Sequence, residues 1–287
     1  GIYIATGHYV RLQFENLDIK NSLKIVNCKL KIANDLNKDQ SYFLWTLTQE
    51  QLKHCLFPIG DYTKPQVRVI AKKFKLPTAE KPDSQGVCFV GEIDVAEFLK
   101  EKLGRNQGPI KTLDGKIVGS HDGAIFYTIG QRRGVGIKGS LPGEQGKIYY
   151  VAAKDLKTNT IFVAEGKDKN LFANKLTVKN INWISGKVPK LPLKCLARIR
   201  YRQPLQEAQI VNYDLEIKKK TAIHRTHKNP IGNLCVHNSK FIIRFDAPQR
   251  AITPGQSAVF CLPADLSAKA LASAEARRAK AGTDNLI

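Results

Sequence analysis

Apolar positions change their spacing twice along the chain, and the changes mark its parts. Ile2-Tyr3-Ile4-Ala5 is a short apolar run halted by Thr6-Gly7-His8, which reads as a buried strand ending in a polar loop. An open α/β sheet gathers its chemistry outside the carboxyl ends of such strands. Helical spacing follows. Thr48 with Gln51 predicts a capping box, and Leu52, Cys55 and Leu56 supply the apolar stripe. Thr63 and Pro65 open a second helix, where Val67, Ile70, Ala71 and Phe74 fall on one face before Pro77. Asp94 with Glu97 starts a third, carrying Phe98, Leu99 and Leu103. Between the last two, Asp83 to Glu92 reads as a short apolar strand bracketed by glycines, with Cys88 in its middle.

From about Gly104 the period shortens to short strands and glycine turns. Strands are predicted at Ile125–Tyr127, Ile148–Val151, Ile161–Val163, Leu176–Trp183, Leu193–Arg202, Phe241–Phe245 and Ser257–Leu262. Their spacing suggests a small β-rich insert followed by a barrel or sandwich. Within Leu193–Arg202 the alternation of strand side chains puts Leu193, Cys195, Ala197, Ile199 and Tyr201 on one face. Arg198, Arg200 and Arg202 then form a row of guanidiniums on the other.

Two stretches break the pattern. Leu215–Lys240 is a polar run with six Lys or Arg against one acid, lodged between two strands. Leu266–Ala281 is alanine-rich and ends at Gly282, the pattern of a lone terminal helix.

Composition narrows the function classes. The chain has 287 residues, of which 46 are Lys or Arg and 25 Asp or Glu, a net charge of +21 that points to a polyanionic partner. No apolar stretch approaches the length of a membrane span, and no signal peptide opens the chain. Six dispersed cysteines without a C-x-x-C pair fit reduced thiols inside a cell. The absence of methionine implies that a segment precedes Gly1.

Several local patterns could carry chemistry. Gly134-Val135-Gly136-Ile137-Lys138-Gly139 spells the dinucleotide fingerprint, yet neither a strand precedes it nor a helix follows, which favours a basic loop. His224, His227, Cys235 and His237 match no common zinc spacing, so a solvated loop and no metal site is expected. A free cysteine is most often a buried hydrophobe. Cys88, however, follows the polar turn Asp83-Ser84-Gln85-Gly86 and precedes Gly91, where another sulfur could reach it. Lys38-Asp39-Gln40 leads into an aromatic run, which reads either as the start of an element or as a phosphate and base contact.

Taken in order, the motifs resemble a family. Ala-Thr-Gly-His-Tyr stands at 5–9, Asn-Lys-Asp-Gln-Ser-Tyr-Phe-Leu at 37–44 and Phe-Pro-Ile-Gly-Asp at 57–61. Asp-Ser-Gln-Gly-Val-Cys-Phe-Val-Gly follows at 83–91, Tyr-Thr-Ile-Gly-Gln-Arg-Arg-Gly at 127–134 and Asn-Trp-Ile-Ser at 182–185. Arg-Ile-Arg-Tyr-Arg-Gln-Pro at 198–204 and Thr-Pro-Gly-Gln-Ser-Ala-Val-Phe at 253–260 complete the set. Together they resemble the bacterial tRNA-specific 2-thiouridylases from Gly1 to about Phe260.

The resemblance implies an α/β fold of the adenine nucleotide alpha hydrolase-like, PP-loop type, incomplete here, then a small central domain and a carboxyl-terminal β-barrel. The implied boundaries are 1–103, 104–172 and 173–262 with the insert 215–240, and an atypical tail at 263–287. Such enzymes are cytoplasmic transferases that put sulfur at the 2-position of the wobble uridine of tRNA. ATP, with Mg2+, adenylates the uridine oxygen; a cysteine persulfide loaded by a cysteine desulfurase or sulfur-relay protein delivers sulfur; a second cysteine closes a disulfide. By the resemblance Cys88 carries the persulfide and Gly7 contacts the nucleotide. His8, Lys38, Asp39, Gln40, Arg200, Tyr201 and Gln256 contact tRNA. The family's Ser-Gly-Gly-x-Asp-Ser loop and its upstream cysteine have no counterpart between Gly1 and Ile287, and Cys28 does not match that cysteine. The chain alone is therefore expected not to thiolate tRNA, and the rival expectation is a non-catalytic RNA-binding remnant.

Overall fold

The computed structural model describes residues 2–15, 27–81, 95–135, 137, 147–213 and 240–263. Cys88, the insert at 215–239, the four-residue His/Cys group and the tail from 264 onward lie outside the described residues, as do Gly136, Lys138 and Gly139 of the glycine fingerprint at 134–139. The chain divides into two compact units. One joins residues 1–81, 175–247 and 256–287, and the other joins 82–174 with 248–255.

The first unit opens with β1 (Ile4–Ala5), β2 (Val10–Glu15) and β3 (Asn27–Ile32), followed by a 3-10 turn at Ser41–Phe43. Next come α1 (Gln49–Leu52), β4 (Cys55–Leu56) and α2 (Lys64–Lys73). β1 pairs in parallel with β4, and β2 pairs antiparallel with β3 from Val10↔Ile32 to Glu15↔Asn27. The helix starts follow the sequence signals. Thr48 and Gln51 close a reciprocal capping box on α1, and the Gln66 carboxamide accepts from the Thr63 N–H and hydroxyl at the head of α2. Ile4 is 65% exposed, so β1 is not the buried strand that its composition predicts.

The second unit contains α3 (Val95–Leu103), β5 (Gly108–Thr112), β6 (Ile117–His121), β7 (Tyr149–Asp155) and β8 (Thr160–Glu165). Its four strands run in the order β6-β5-β8-β7, with β5 and β8 parallel. Ile110, Val151, Ile161 and Val163 fill its core with Ala124, Tyr127 and Val135. The predicted strand at Ile125–Tyr127 is instead a 3-10 turn, Ala124–Phe126. Gly123 bends the chain at φ +146°, Phe126 N–H donates to its carbonyl, and Ala124 N–H donates to the Asn159 side chain. These bonds leave the segment little to offer a ladder.

Strands β9 (Phe172–Val178), β10 (Leu193–Arg198), β11 (Gln206–Asn212), β12 (Phe241–Arg250) and β13 (Val259–Cys261) form a five-stranded sheet ordered β13-β10-β11-β12-β9. One face is apolar by strict alternation. Cys195, Ala208 and Phe245 lie in one cross-strand row, and Ile210 and Ile243 in the next. The segment predicted as a strand from Leu176 to Trp183 leaves the sheet at Val178, and Asn180 takes a left-handed φ of +55°.

The predicted row of three arginines does not exist. β10 ends at Arg198, and residues 200–203 form a turn in which Gln203 N–H donates to Arg200 C=O. Arg202 sits there at φ +61°. Both faces of β10 are covered, because Leu196 packs with Ile32 of β3 on the side away from Cys195. Arg198 shares that covered side and is 6% exposed. Period-2 reasoning assigned it to solvent because no sequence signal shows that β3 lies there.

Candidate RNA-binding surface

Four segments far apart in sequence meet in the first unit. Thr6-Gly7-His8 leaves β1, and the Thr6 hydroxyl lies 2.9 Å from His8 Nδ1. The next residue, Tyr9, is tied to the 38–40 loop on both sides: its N–H donates to Gln40 Oε1 at 3.0 Å, and its C=O accepts from Gln40 N–H at 2.9 Å. Gln40 thereby ties the segment that carries His8 to the loop that carries Lys38, and the His8 ring stands edge-on to Phe57 at 6.5 Å.

Asp39 is the keystone of the loop. Its carboxylate accepts from Ala33 N–H, Ser41 N–H and the Ser41 hydroxyl, and from Arg198 Nη2 at 2.5 Å. Ser41 Oγ accepts a second bond from the same Nη2 at 2.8 Å. Asp39 and Arg198 are both nearly inaccessible, so their charges depend on each other and on the surrounding N–H donors. Asp39 therefore stands beneath the loop, while Lys38 and Gln40 on either side are partly exposed.

The third segment begins two residues past Arg198. Arg200 and Tyr201 occupy the turn after β10, and the Tyr201 ring lies 6.2 Å from Tyr42 and 4.5 Å from Phe43. Burial raises the Tyr42 hydroxyl above its ordinary range, against the opposing pull of Arg198 and Arg200. That hydroxyl stays protonated and donates to Ser257 C=O at 2.9 Å. The bond brings in the fourth segment, with Gln256 exposed beside it. Gly7, His8, Lys38, Asp39, Gln40, Arg200, Tyr201 and Gln256 are thus linked through short chains of contacts.

Further ties stitch the same unit together, and sequence reasoning missed them. Asn182 Nδ2 donates to Trp45 C=O and Leu47 C=O, and Gln49 Nε2 donates to Cys28 C=O and Ile184 C=O. Trp183 packs against Phe241 and Phe260. The Asn-Trp-Ile-Ser motif is therefore a clasp between the β-sheet and the amino-terminal segment. Gly60 explains another motif: a Cβ there would stand 1.9 Å from the carbonyl oxygen of Val10, at the start of β2.

Three of the described thiols, Cys28, Cys55 and Cys195, are held back from the thiolate form. Burial pushes Cys195 up to about 12, and it raises Cys28 and Cys55 as well. Among the described residues no three His, Cys, Asp or Glu side chains cluster as a metal site. At the end of β1 the chain leads through Thr6-Gly7-His8 into a strand rather than into the helix N-terminus that commonly holds a phosphate. Gly7 is exposed at the strand end with open space around it, which suits a ligand approach but offers no phosphate loop by itself.

Comparisons with known proteins agree with this organisation. Residues 1–92 match the family described as tRNA methyl transferase HUP domain, and 96–165 the tRNA methyl transferase PRC-barrel domain. The aminomethyltransferase beta-barrel domain matches 173–224 and 213–262. A protein of Geobacillus thermodenitrificans named tRNA-specific 2-thiouridylase MnmA is 41% identical over 259 residues, covering 90% of this chain and 60% of that protein. Proteins of the same name from Tolumonas auensis and Yersinia pestis are 40% and 39% identical, with 91% and 90% of this chain covered and 62% and 61% of theirs. This chain spans about 60% of the length of such relatives. In sequence, and in the order of its HUP, middle and carboxyl-terminal β domains, the chain is similar to the proteins named tRNA-specific 2-thiouridylase over 90% of its own length.

Proposed function

We propose that the protein serves ATP-dependent thiolation of the wobble uridine of tRNA at its 2-position, and that the surface around Lys38, Gln40, Arg200 and Tyr201 docks the tRNA. The observation that carries this reading is the convergence of residues 7–8, 38–40, 200–201 and 256 on the Asp39–Arg198 pair and the Tyr42–Ser257 bond. Lys38 and Arg200 supply charge for phosphates, His8, Gln40 and Gln256 supply donors and acceptors, and Tyr201 supplies a ring. Asp39 shapes the loop that presents its neighbours. A net charge of +21 supports a polyanion as the partner.

Cys88 is the proposed sulfur carrier. As a persulfide, loaded by a cysteine desulfurase or a sulfur-relay protein, it gives its outer sulfur to the uridine carbon. A second cysteine then takes the Cys88 sulfur as a disulfide and frees the thiolated base. ATP, with Mg2+, would adenylate the uridine 2-oxygen with loss of pyrophosphate, and that oxygen would leave with AMP when the sulfur attacks the carbon. Among the described residues, Gly7 at the end of β1 is the contact proposed for it. The proposed domain limits are 1–103, 104–172 and 173–262, and the proposed location is the cytoplasm.

The test is a titration of the 287-residue chain against an unmodified tRNA transcript with uridine at the wobble position. Binding that weakens with salt, and that Cys88→Ser leaves unchanged, supports the reading. Failure to bind tRNA more tightly than a DNA duplex of equal length overturns it. A tRNA-binding chain whose full-length relative thiolates equally well with Cys88→Ser would leave only the RNA-binding alternative.

A further inference from the structure

The contacts of the turn Ser41–Phe43 go beyond holding the 38–40 loop. Ser41 and Tyr42 point inward and are 7% exposed, whereas Phe43 is 52% exposed. A single exposed phenylalanine needs no explanation. This one, however, belongs to an assembled group. Its centroid lies 4.5 Å from that of Tyr201, with the rings inclined at 46°, so they make an open corner rather than a closed sandwich. The Arg202 guanidinium stands 5.2 Å from the Tyr201 centroid on an exposed side chain. Beneath both rings, Tyr42 meets Phe43 edge-on at 5.5 Å and is pinned by its bond to Ser257. The Arg198 guanidinium lies 5.8 Å from the Tyr42 centroid.

We infer that Phe43 and Tyr201 form a stacking seat for one unpaired base of the RNA, with Arg202 extending the seat and Tyr42 as its fixed floor. This rests on the tRNA-binding reading above and adds a residue, Phe43, and a chemical class of contact to it. Several observations favour a base over other apolar occupants. Aromatic rings beside guanidiniums stack nucleobases, and such stacking tolerates any base because each has a π face. Lys38 and Arg200 border the same segments and suit the phosphates on either side. Bases within an A-form duplex hide their faces, so the seat takes a base from a loop or an end. The floor is rigid, since Asp39, Ser41 and Arg198 fix the start of the turn that carries Phe43. The ring is thus held in place before RNA arrives, which spares the ordering cost of binding.

The experiment compares the unmodified tRNA transcript with a fully paired RNA duplex, using the 287-residue chain and its Phe43→Ala, Phe43→Leu and Phe43→Trp variants. The expected result is a loss of roughly 5- to 150-fold in tRNA affinity for Phe43→Ala, with the same slope of log K against log salt. Duplex affinity stays unchanged, Phe43→Trp retains tRNA binding, and Phe43→Leu loses it because volume without a π face does not stack. Urea denaturation midpoints close to that of the unsubstituted chain establish that each variant is folded. Unchanged tRNA affinity in Phe43→Ala overturns the seat and leaves the tRNA reading standing. So does an equal loss on the duplex, or full binding by Phe43→Leu. No binding of tRNA by the unsubstituted chain overturns both.

Discussion

Arg198 reaches Asp39 across 159 residues of sequence and bonds its carboxylate at 2.5 Å in a place that water barely enters. The Nε of the same guanidinium is buried and has no partner among the described residues, which leave the pair incompletely compensated. Removing one member of such a pair strands the other charge. Arg198→Met is therefore expected to cost about 3–5 kcal/mol, read as a lower urea midpoint, and to weaken tRNA binding by releasing the 38–40 loop. A midpoint within 0.3 kcal/mol or so of the parent would mean the pair contributes little to the fold.

Glycine at 60 is required by space. A methyl group there would overlap the Val10 carbonyl, whereas one at Gly7 would meet nothing within 4 Å. Gly60→Ala should destabilise by about 1–3 kcal/mol or more. Gly7→Ala should leave the thermal midpoint in place, which makes it the cleaner probe of a ligand contact at the end of β1. Equal midpoints for the two variants would contradict the packing described.

Cys195 should resist alkylation by iodoacetamide at pH 8 in the folded chain, because its thiol is held up to about 12 by burial. Mass spectrometry after brief labelling would show it unmodified until denaturant is added. The sign for stability follows from the same shift. Between the ordinary thiol value of 9.0 and about 12, the unfolded chain loses the Cys195 proton and the folded chain keeps it. This group's contribution therefore falls as pH rises through that window.

His121 works in the opposite direction. Burial lowers its pKa below 6.5, and its Nδ1 accepts from Gly123 N–H, which requires the neutral ring. Below about 6.5 the unfolded chain takes up a proton that the folded chain refuses, so stability falls with pH on the acid side. His121→Gln should flatten the difference in urea midpoint between pH 7.5 and 5.5.

Arg200→Ala should reduce the slope of log K against log salt for tRNA by roughly one phosphate's worth. The same slope in both proteins would remove Arg200 from the phosphate contacts.

Local signals were read well from the chain, and long-range cover was not. Thr48, Thr63 and Pro65 sit at the helix starts because capping is decided within one turn. Phe241, Ile243 and Phe245 alternate as expected because one face of β12 is covered. Arg198 was misplaced because the partner covering its side, β3 with the 33–41 loop, lies far away in sequence. Ile125–Tyr127 was misread because its apolar side chains look strand-like, while Gly123 and Asn159 satisfy its backbone as a turn. For the candidate site, the motifs supplied the residues. The clasp of Asn182 on Trp45 and Leu47 and the burial of Asp39 against Arg198 join residues too far apart in sequence for a local pattern to carry them.

The span between Asp39 and Arg198 also sets a schedule. At translation rates of about 5–20 residues per second, the ribosome crosses the 159-residue separation in roughly 8 to 30 s. Throughout that interval the Arg198 guanidinium is not yet there for Asp39 to meet. The geometry proposed to face RNA is thus a late product of synthesis, incomplete until β10 and then the segment carrying Ser257 have emerged.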